Sequence, residues 1–179
     1  MSTKDQIQAL KEGRIDVGFG RLRISDPAVR RVLLREEPLM LAAHSSHPLT
    51  AQKQGVYLSD LVDQNLFLYP SHPKPNFSTQ VQGLFSEYGL EPKHLKEVRE
   101  IQLALGLVAA GEGICIVPER AKTIQLSHLH YIPLLDDAAV SPIFLAIRSM
   151  DESEDIRSLF DCIYQVYDLE AIKYDRAFI

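Results

Sequence analysis

Ile101-Gln-Leu-Ala-Leu-Gly-Leu-Val-Ala-Ala-Gly-Glu-Gly-Ile-Cys-Ile-Val-Pro118 is the stretch on which the fold turns. Apolar residues recur at helical spacing from Ile101 and stop at Gly111. Gly113 then releases the apolar strand Ile114-Cys-Ile-Val117, which Pro118 ends. Glycine supplies both the left-handed end of a helix and the tight entry into a buried strand. An αβ unit this short implies a sheet with helices packed on it. It contains no nucleophile, no acid–base pair and no set of metal ligands, which favours binding over catalysis.

Upstream, Thr3-Lys-Asp-Gln6 fits a capping box with Thr3 as N-cap. Ile7 and Leu10 stripe that helix, Gly13 ends it, and Ile15, Val17 and Phe19 alternate in a strand closing on Gly20. An extended segment covers Val29 to Ala43, with Leu39–Ala43 a continuous apolar strand. Turn chemistry at His47-Pro48 and 52–55 leads to a short helix at 59–62 and a buried strand at Leu66–Tyr69. The proline-rich loop Pro70–Pro75 feeds a helix from Phe77 to Tyr88, and Leu95–Arg99 is a strand. Downstream of Pro118 come a short helix from Glu119, a strand at Tyr131–Pro133, an acidic turn at Asp136-Asp137 and a strand at Pro142–Ile147. A last helix spans Glu152 to Glu170, with Ile156, Leu159, Phe160, Ile163, Val166 and Tyr167 on one face. Strands alternating with helices give an α/β protein with largely parallel sheets. The last strand and helix are expected to return to the lobe that the first ones began. Two lobes then share crossing segments near 35–40 and 136–142, with a cleft between them.

The 179 residues are 46% hydrophobic and 24% charged, enough for one large domain or two small lobes. A net charge of −5 leaves no broad basic surface for phosphates, which argues against nucleic-acid binding by these residues alone. Cys115 and Cys162 both lie among apolar neighbours and read as buried, reduced thiols. No signal peptide and no membrane-length apolar run is visible, so a soluble cytoplasmic protein is expected. His44-x-x-His47 and His128-x-His130 lack companion ligands, and no metal site or cofactor is expected.

Two helix starts carry what binding chemistry there is: Ser2-Thr3, and Asn76-Phe77-Ser78-Thr79 after Pro73-Lys-Pro75. Free amides and the positive end of the helix dipole favour a carboxylate or phosphate there. The plainer alternative is that Thr3 and Ser78 only cap their helices. Both starts facing one cleft would suit a dicarboxylate. Arg21, just past Gly20, offers a bidentate guanidinium, or pairs at the surface with an acid such as Asp26. Arg99 and Glu100 could form a local ion pair, and Tyr164, Tyr167 and Tyr174 read as packing residues.

Several of these segments together resemble the effector-binding domain of LysR-type transcriptional regulators, in particular the muconate- and benzoate-responsive regulators of aromatic-compound catabolism. The resemblance is carried by Thr3-Lys4 with Glu12–Asp16, Gly18–Leu22 with Ile24–Pro27, and Tyr69-Pro-Ser71 with Pro73–Thr79. Glu97–Glu100 and Gln102–Gly113 complete it. The glycine-bounded αβ unit is shared by such domains broadly, whereas Lys74-Pro-Asn-Phe-Ser-Thr79 points to the muconate group.

The resemblance implies two periplasmic-binding-protein-like lobes, 1–37 with 139–179 and 38–138, holding a small carboxylate such as cis,cis-muconate. Thr3 and Arg21 are implied to hold it from the first lobe, and Pro75, Asn76, Phe77 and Thr79 from the second. A second, apolar pocket that accepts benzoate in some relatives maps to Arg35, Glu100 and Tyr167. The resemblance implies a non-enzymatic sensor that reaches promoter DNA only through a winged helix-turn-helix absent from these residues, and a homo-oligomer in intact relatives. It also implies that the initial strand and helix of the first lobe are missing, an N-terminal truncation consistent with the abrupt opening. Rival readings are a free-standing small-carboxylate-binding domain and an enzyme, for which no catalytic residues are found.

Overall fold

The computed structural model describes residues 1–176, and the chain divides into two compact units, Met1–Glu36 with Pro142–Ile179, and Glu37–Ser141. Residues 177–179, included in the first lobe by the sequence reading, lie outside the described residues.

The first unit opens with helix α1, Thr3–Lys11. Its N-cap is Ser2, one residue before the expected Thr3: Ser2 Oγ accepts from the Asp5 amide at 3.2 Å, and the Asp5 carboxylate accepts from Ser2 N and Oγ. Both Ser2 and Thr3 have a suitable partner three residues on, and the charged one, Asp5 rather than Gln6, decides the register. Ile7 and Leu10 pack on Val29 and Ala146. Strand β1, Val17–Gly20, is antiparallel to the chain's last strand, Val140–Arg148, with Val17 opposite Ile147 and Gly20 opposite Phe144. That last strand also lies beside β2, Val29–His44, whose residues up to Glu36 belong to this unit. The final helix, Glu154–Leu169, starts two residues later than expected and buries Ile156, Phe160 and Tyr164 against Leu34, Leu145 and Ile147. That i, i+4, i+8 stripe excludes positions two residues away, which lie about 200° round the helix. Val166 is therefore exposed rather than on the apolar face, and Cys162 is an exposed thiol rather than a buried one.

In the second unit the rest of β2 is the hub. It runs antiparallel to β5, Ile114–Pro118, on one side and to β6, Leu129–Pro133, on the other. Beyond β5 come β3, Asn65–Leu68, and β4, His94–Glu97, both parallel pairings, giving the order β6-β2-β5-β3-β4. The sheet is thus mixed, which corrects the expectation of largely parallel pairing. Only the run from β3 through helix α2, Phe77–Glu87, β4 and helix α3, Ile101–Ala109, to β5 has the helical crossovers that parallel neighbours require. The last strand and helix of the chain are β7 and α4. The short segment expected as a helix at 59–62 is a 3₁₀ turn, Leu58–Leu61, and β4 ends at Glu97 rather than Arg99.

Strand alternation sorts this unit's core into two layers. Leu39, Leu41, Leu66, Leu68, Ile114 and Ile116 face Val81, Leu84 and Phe85 of α2. Ala42, Phe67, Cys115 and Val117 face Ala104, Leu105 and Val108 of α3. Each strand residue points opposite to its neighbour, so one helix covers each face. At the end of α3, Gly111 has φ +82. A Cβ at Gly113 would lie 2.3 Å from the Asn65 carbonyl oxygen, so β5 enters the sheet where no larger residue fits. No helix among the described residues is long and apolar enough to cross a membrane.

Candidate effector-recognition elements

In the second unit, Tyr69–Pro75 leads from β3 into α2. Asn76 is the N-cap: its Oδ1 accepts from the Thr79 amide at 3.2 Å, and its own amide donates to Thr79 Oγ1 at 3.3 Å. Its Nδ2 donates to the Pro70 carbonyl at 2.7 Å and the Pro73 carbonyl at 2.8 Å. Asn76 is buried, so its amide group and the Thr79 hydroxyl serve to fold the loop onto the helix start. The cap is Asn76, whereas Ser78, the alternative cap in the sequence, is fully buried and accepts from Gln82 Nε2. The amides of Phe77 and Ser78 in the first turn have no carbonyl within the helix to donate to, which is the feature that suits an anion. Phe77 packs its ring 5.3 Å from that of Tyr69, which fixes the direction of that first turn. Gln80 ties it further, donating to the Val140 carbonyl and accepting from Ser141 Oγ. Pro75 precedes the cap and contributes backbone only.

In the first unit, Thr3 and the end of β1 meet. A Cβ at Gly20 would stand 3.0 Å from Thr3 Oγ1 and 3.5 Å from Arg31 Nη2, so glycine lets the helix start approach the strand beside Arg21. Asp26, the alternative partner for Arg21, is instead bound to Lys11 Nζ at 3.1 Å. Thr3, freed from capping by Ser2, keeps its hydroxyl available for other contacts. Arg31 is a residue that the sequence reading missed. Its guanidinium lies 4.4 Å over the Phe144 ring, and its Nη1 donates to the Leu22 and Ile24 carbonyls. Burial pushes its pKa below the ordinary arginine value.

Of the three positions mapped to a second pocket, the structure brings two together: the Arg35 guanidinium is 5.7 Å from the Tyr167 ring centre, in the first unit. Glu100 belongs to the second unit, where it is the exposed N-cap residue of α3. Glu37 also went unnoticed in the sequence. Its carboxylate is fully buried and accepts from the Arg120 amide at 2.9 Å, at the start of the 3₁₀ turn Glu119–Thr123. The signal was parity: Glu37 stands two residues before Leu39 and so shares its inward side. Among the described residues no three His, Cys, Asp or Glu side chains are grouped to hold a metal.

Comparison with known proteins gives these elements a context. A family model described as the LysR substrate binding domain matches residues 1–168. The chain is 60% identical to the HTH-type transcriptional regulator BenM of Acinetobacter baylyi over 171 residues, 95% of this chain and 56% of that protein. It is 38% identical to the regulator CatR of Pseudomonas putida over 165 residues, 92% of this chain and again 56% of the relative. The chain therefore spans about half the length of the curated relatives it matches. Its fold superimposes on the BenM effector binding domain solved with its effector benzoate with a TM-score of 0.96, at 57% identity, covering 100% of this chain and 81% of that one. These matches fix the architecture as the periplasmic-binding-protein-like α/β fold, and the chain belongs to the LysR substrate-binding domain family.

Proposed function

We propose that this chain is the effector-sensing part of a LysR-type transcriptional regulator of aromatic-compound degradation, and that it binds cis,cis-muconate or a similar small carboxylate. The observation that carries the reading is the 57% identity to a domain whose solved structure holds benzoate as its effector, over the whole of this chain. Local geometry supports it. In the second unit the capped start of α2 presents the Phe77 and Ser78 amides, with Pro75, Asn76 and Thr79 holding the turn in place. In the first unit Thr3 and Arg21 stand at the end of β1, where a hydroxyl and a guanidinium can both donate to a carboxylate. Arg35 and Tyr167, with Glu100 from the mapped set, are proposed to serve a second effector of the benzoate class. Binding acts by favouring one conformation of the regulator over another, so the ligand's differential affinity sets the size of the response. Promoter DNA is engaged by residues outside these 179, in a homo-oligomeric regulator. The relatives are transcriptional regulators, and no catalytic role is proposed for any residue.

Calorimetric titration with cis,cis-muconate tests the reading. A Thr3→Ala, Arg21→Ala double variant is expected to lose at least about a hundredfold in affinity, because two donors to a charged group are removed. Unchanged binding by the folded double variant would show the assignment to be wrong.

A further inference from the structure

Helix α2 and its C-cap reach the segment that leads into β7 through two side chains. At the far end the Tyr88 hydroxyl accepts from the Ala138 amide at 3.1 Å. Nearer the start, Gln80 Nε2 donates to the Val140 carbonyl at 3.1 Å, and Gln80 Oε1 accepts from Ser141 Oγ at 3.2 Å. A carbonyl can only accept, so the Gln80 amide has one workable orientation: turned round, its oxygen would face the Val140 oxygen. Ser141 is fully buried, so bulk water cannot take the place of Gln80 at its hydroxyl. Tyr88 is exposed, and there water can.

The position of this clasp is informative. The second unit ends at Ser141, so Gln80 holds the last two residues before the chain passes into the first unit. Between the two contacts, the Ala139 carbonyl accepts from the Leu39 amide at 2.8 Å, which joins residues 138–141 to β2 shortly after its own changeover at Glu36 and Glu37. At the other end of the path, the Gln80 amide donates to the Asn76 carbonyl at 3.1 Å. Gln80 therefore stands one helical turn from the cap, on the same hydrogen-bonded cylinder as the Phe77 and Ser78 amides. A carboxylate drawn to those amides pulls on the turn that carries Gln80.

We propose that Gln80 is the positioning residue that passes effector occupancy at the start of α2 to Val140 and Ser141, where the chain leaves the second unit. Its side-chain amide is engaged by those two residues, so it acts on the segment and not on the effector. The proposal rests on the reading of the α2 start as an effector site, and adds the route onward: from the first turn through Gln80 to the entry of β7, and by the Ala139–Leu39 bond to β2. The coupling is reciprocal, so whatever fixes residues 138–141 also changes effector affinity, by the same factor.

Amide NMR spectra of the chain titrated with cis,cis-muconate test it. Resonances of Phe77 and Ser78 should shift, and those of Leu39, Val140 and Ser141 should shift with them. Gln80→Leu, a helix former of similar size, should keep the response at Phe77 and Ser78, with affinity within about fivefold of wild type, the scale of one uncharged hydrogen bond. The same variant should lose most of the response at Leu39, Val140 and Ser141. Ser141→Ala, which removes one of the two bonds without leaving a buried hydroxyl, should lose part of it. Tyr88→Phe, which removes the solvent-replaceable contact, should lose none. If Gln80→Leu fails to fold, Ser141→Ala and the unaltered chain decide. Shifts confined to the start of α2 in the unaltered chain would overturn the coupling while leaving the effector site. So would an undiminished response in Gln80→Leu or Ser141→Ala, or an equal loss in Tyr88→Phe. No shift at Phe77 and Ser78 in the unaltered chain would overturn the effector reading itself.

Discussion

Replacing Gly113 by alanine should be a strongly damaging single-methyl change in the second unit. The added Cβ would lie 2.3 Å from the Asn65 carbonyl oxygen and 3.0 Å from both Asn65 Cβ and the Phe67 ring. Ordinary contact needs about 3.4 Å, so a backbone atom, not a flexible side-chain tip, must move by roughly 1 Å. Asn65 is the first residue of β3, and Leu66 pairs with Ile114 immediately after Gly113, so the shift pulls on the β3–β5 ladder. Overpacking of this kind costs about 1–3 kcal/mol, and weakening one ladder hydrogen bond adds about 1 kcal/mol, for an expected loss of about 3 kcal/mol. In a chain of this size each 1 kcal/mol lowers Tm by about 2–4 °C, so Gly113→Ala should melt about 6–12 °C below wild type. Two neighbouring glycines serve as controls. Gly106 has open space around it within α3, so Gly106→Ala should stabilise by about 0.5–1 kcal/mol. Gly111 also has space, yet its φ of +82 makes alanine cost about 1 kcal/mol. Scanning fluorimetry and urea midpoints on the three variants test the ranking. A Gly113→Ala protein melting within about 2 °C of wild type would refute the close-approach argument.

Asn76→Ala should cost about 2–4 kcal/mol in urea denaturation, because it removes the α2 cap and leaves the Pro70 and Pro73 carbonyls without their donor. Asn76→Asp, which keeps the cap acceptor, should recover only part of that. A thiol reagent should titrate Cys162 alone in the native chain and both cysteines in urea. Cys115 is fully buried, and burial pushes its pKa far up, away from the reactive thiolate. Acid should weaken the first unit progressively. Asp5, Asp26 and Asp151 are held below the ordinary aspartate value by hydrogen bonds from Ser2, from Ala28 with Lys11, and from Ser153 respectively. Each therefore binds its proton less readily folded than unfolded. Its stabilisation is complete above about pH 5, beyond the unfolded value, and is lost as pH falls through the lowered folded one. Urea midpoints between pH 6 and 3 should drop, and Asp26→Asn should flatten the slope.

Much of this was legible in the chain because burial follows period. The α3–β5 stretch reads correctly from its glycines, and the two layers of the second unit follow from alternate residues such as Ile114 and Cys115. Strand direction was not legible. Apolar runs like Leu39–Ala43 look alike in parallel and antiparallel pairings, and only the connections decide. The α1 cap was misplaced by one residue because Ser2 and Thr3 are both competent and the choice depends on Asp5 reaching back. Among the candidate binding residues at 76–79, a sequence can place a cap but cannot say that Asn76's donors go to Pro70 and Pro73. Glu37 shares the inward parity of Leu39 and could have been found by it, whereas Arg31, half-buried at the start of the same extended run, follows no such alternation.

Strand β2 sets a strict rule for insertions and deletions. It serves the first unit up to Glu36 and continues without interruption to His44, and Pro38, with no N–H to donate, sits just past the changeover. In the second unit its odd residues Leu39, Leu41 and Ala43 line one core layer, and Ala42 lines the other. Removing one residue from the Glu36–Pro38 stretch would exchange those two layers at every later position of the strand, while removing two would preserve the facing. Chain length at this point therefore behaves as a parity code: single-residue indels there should abolish folding of the second unit, and paired ones should be tolerated far better.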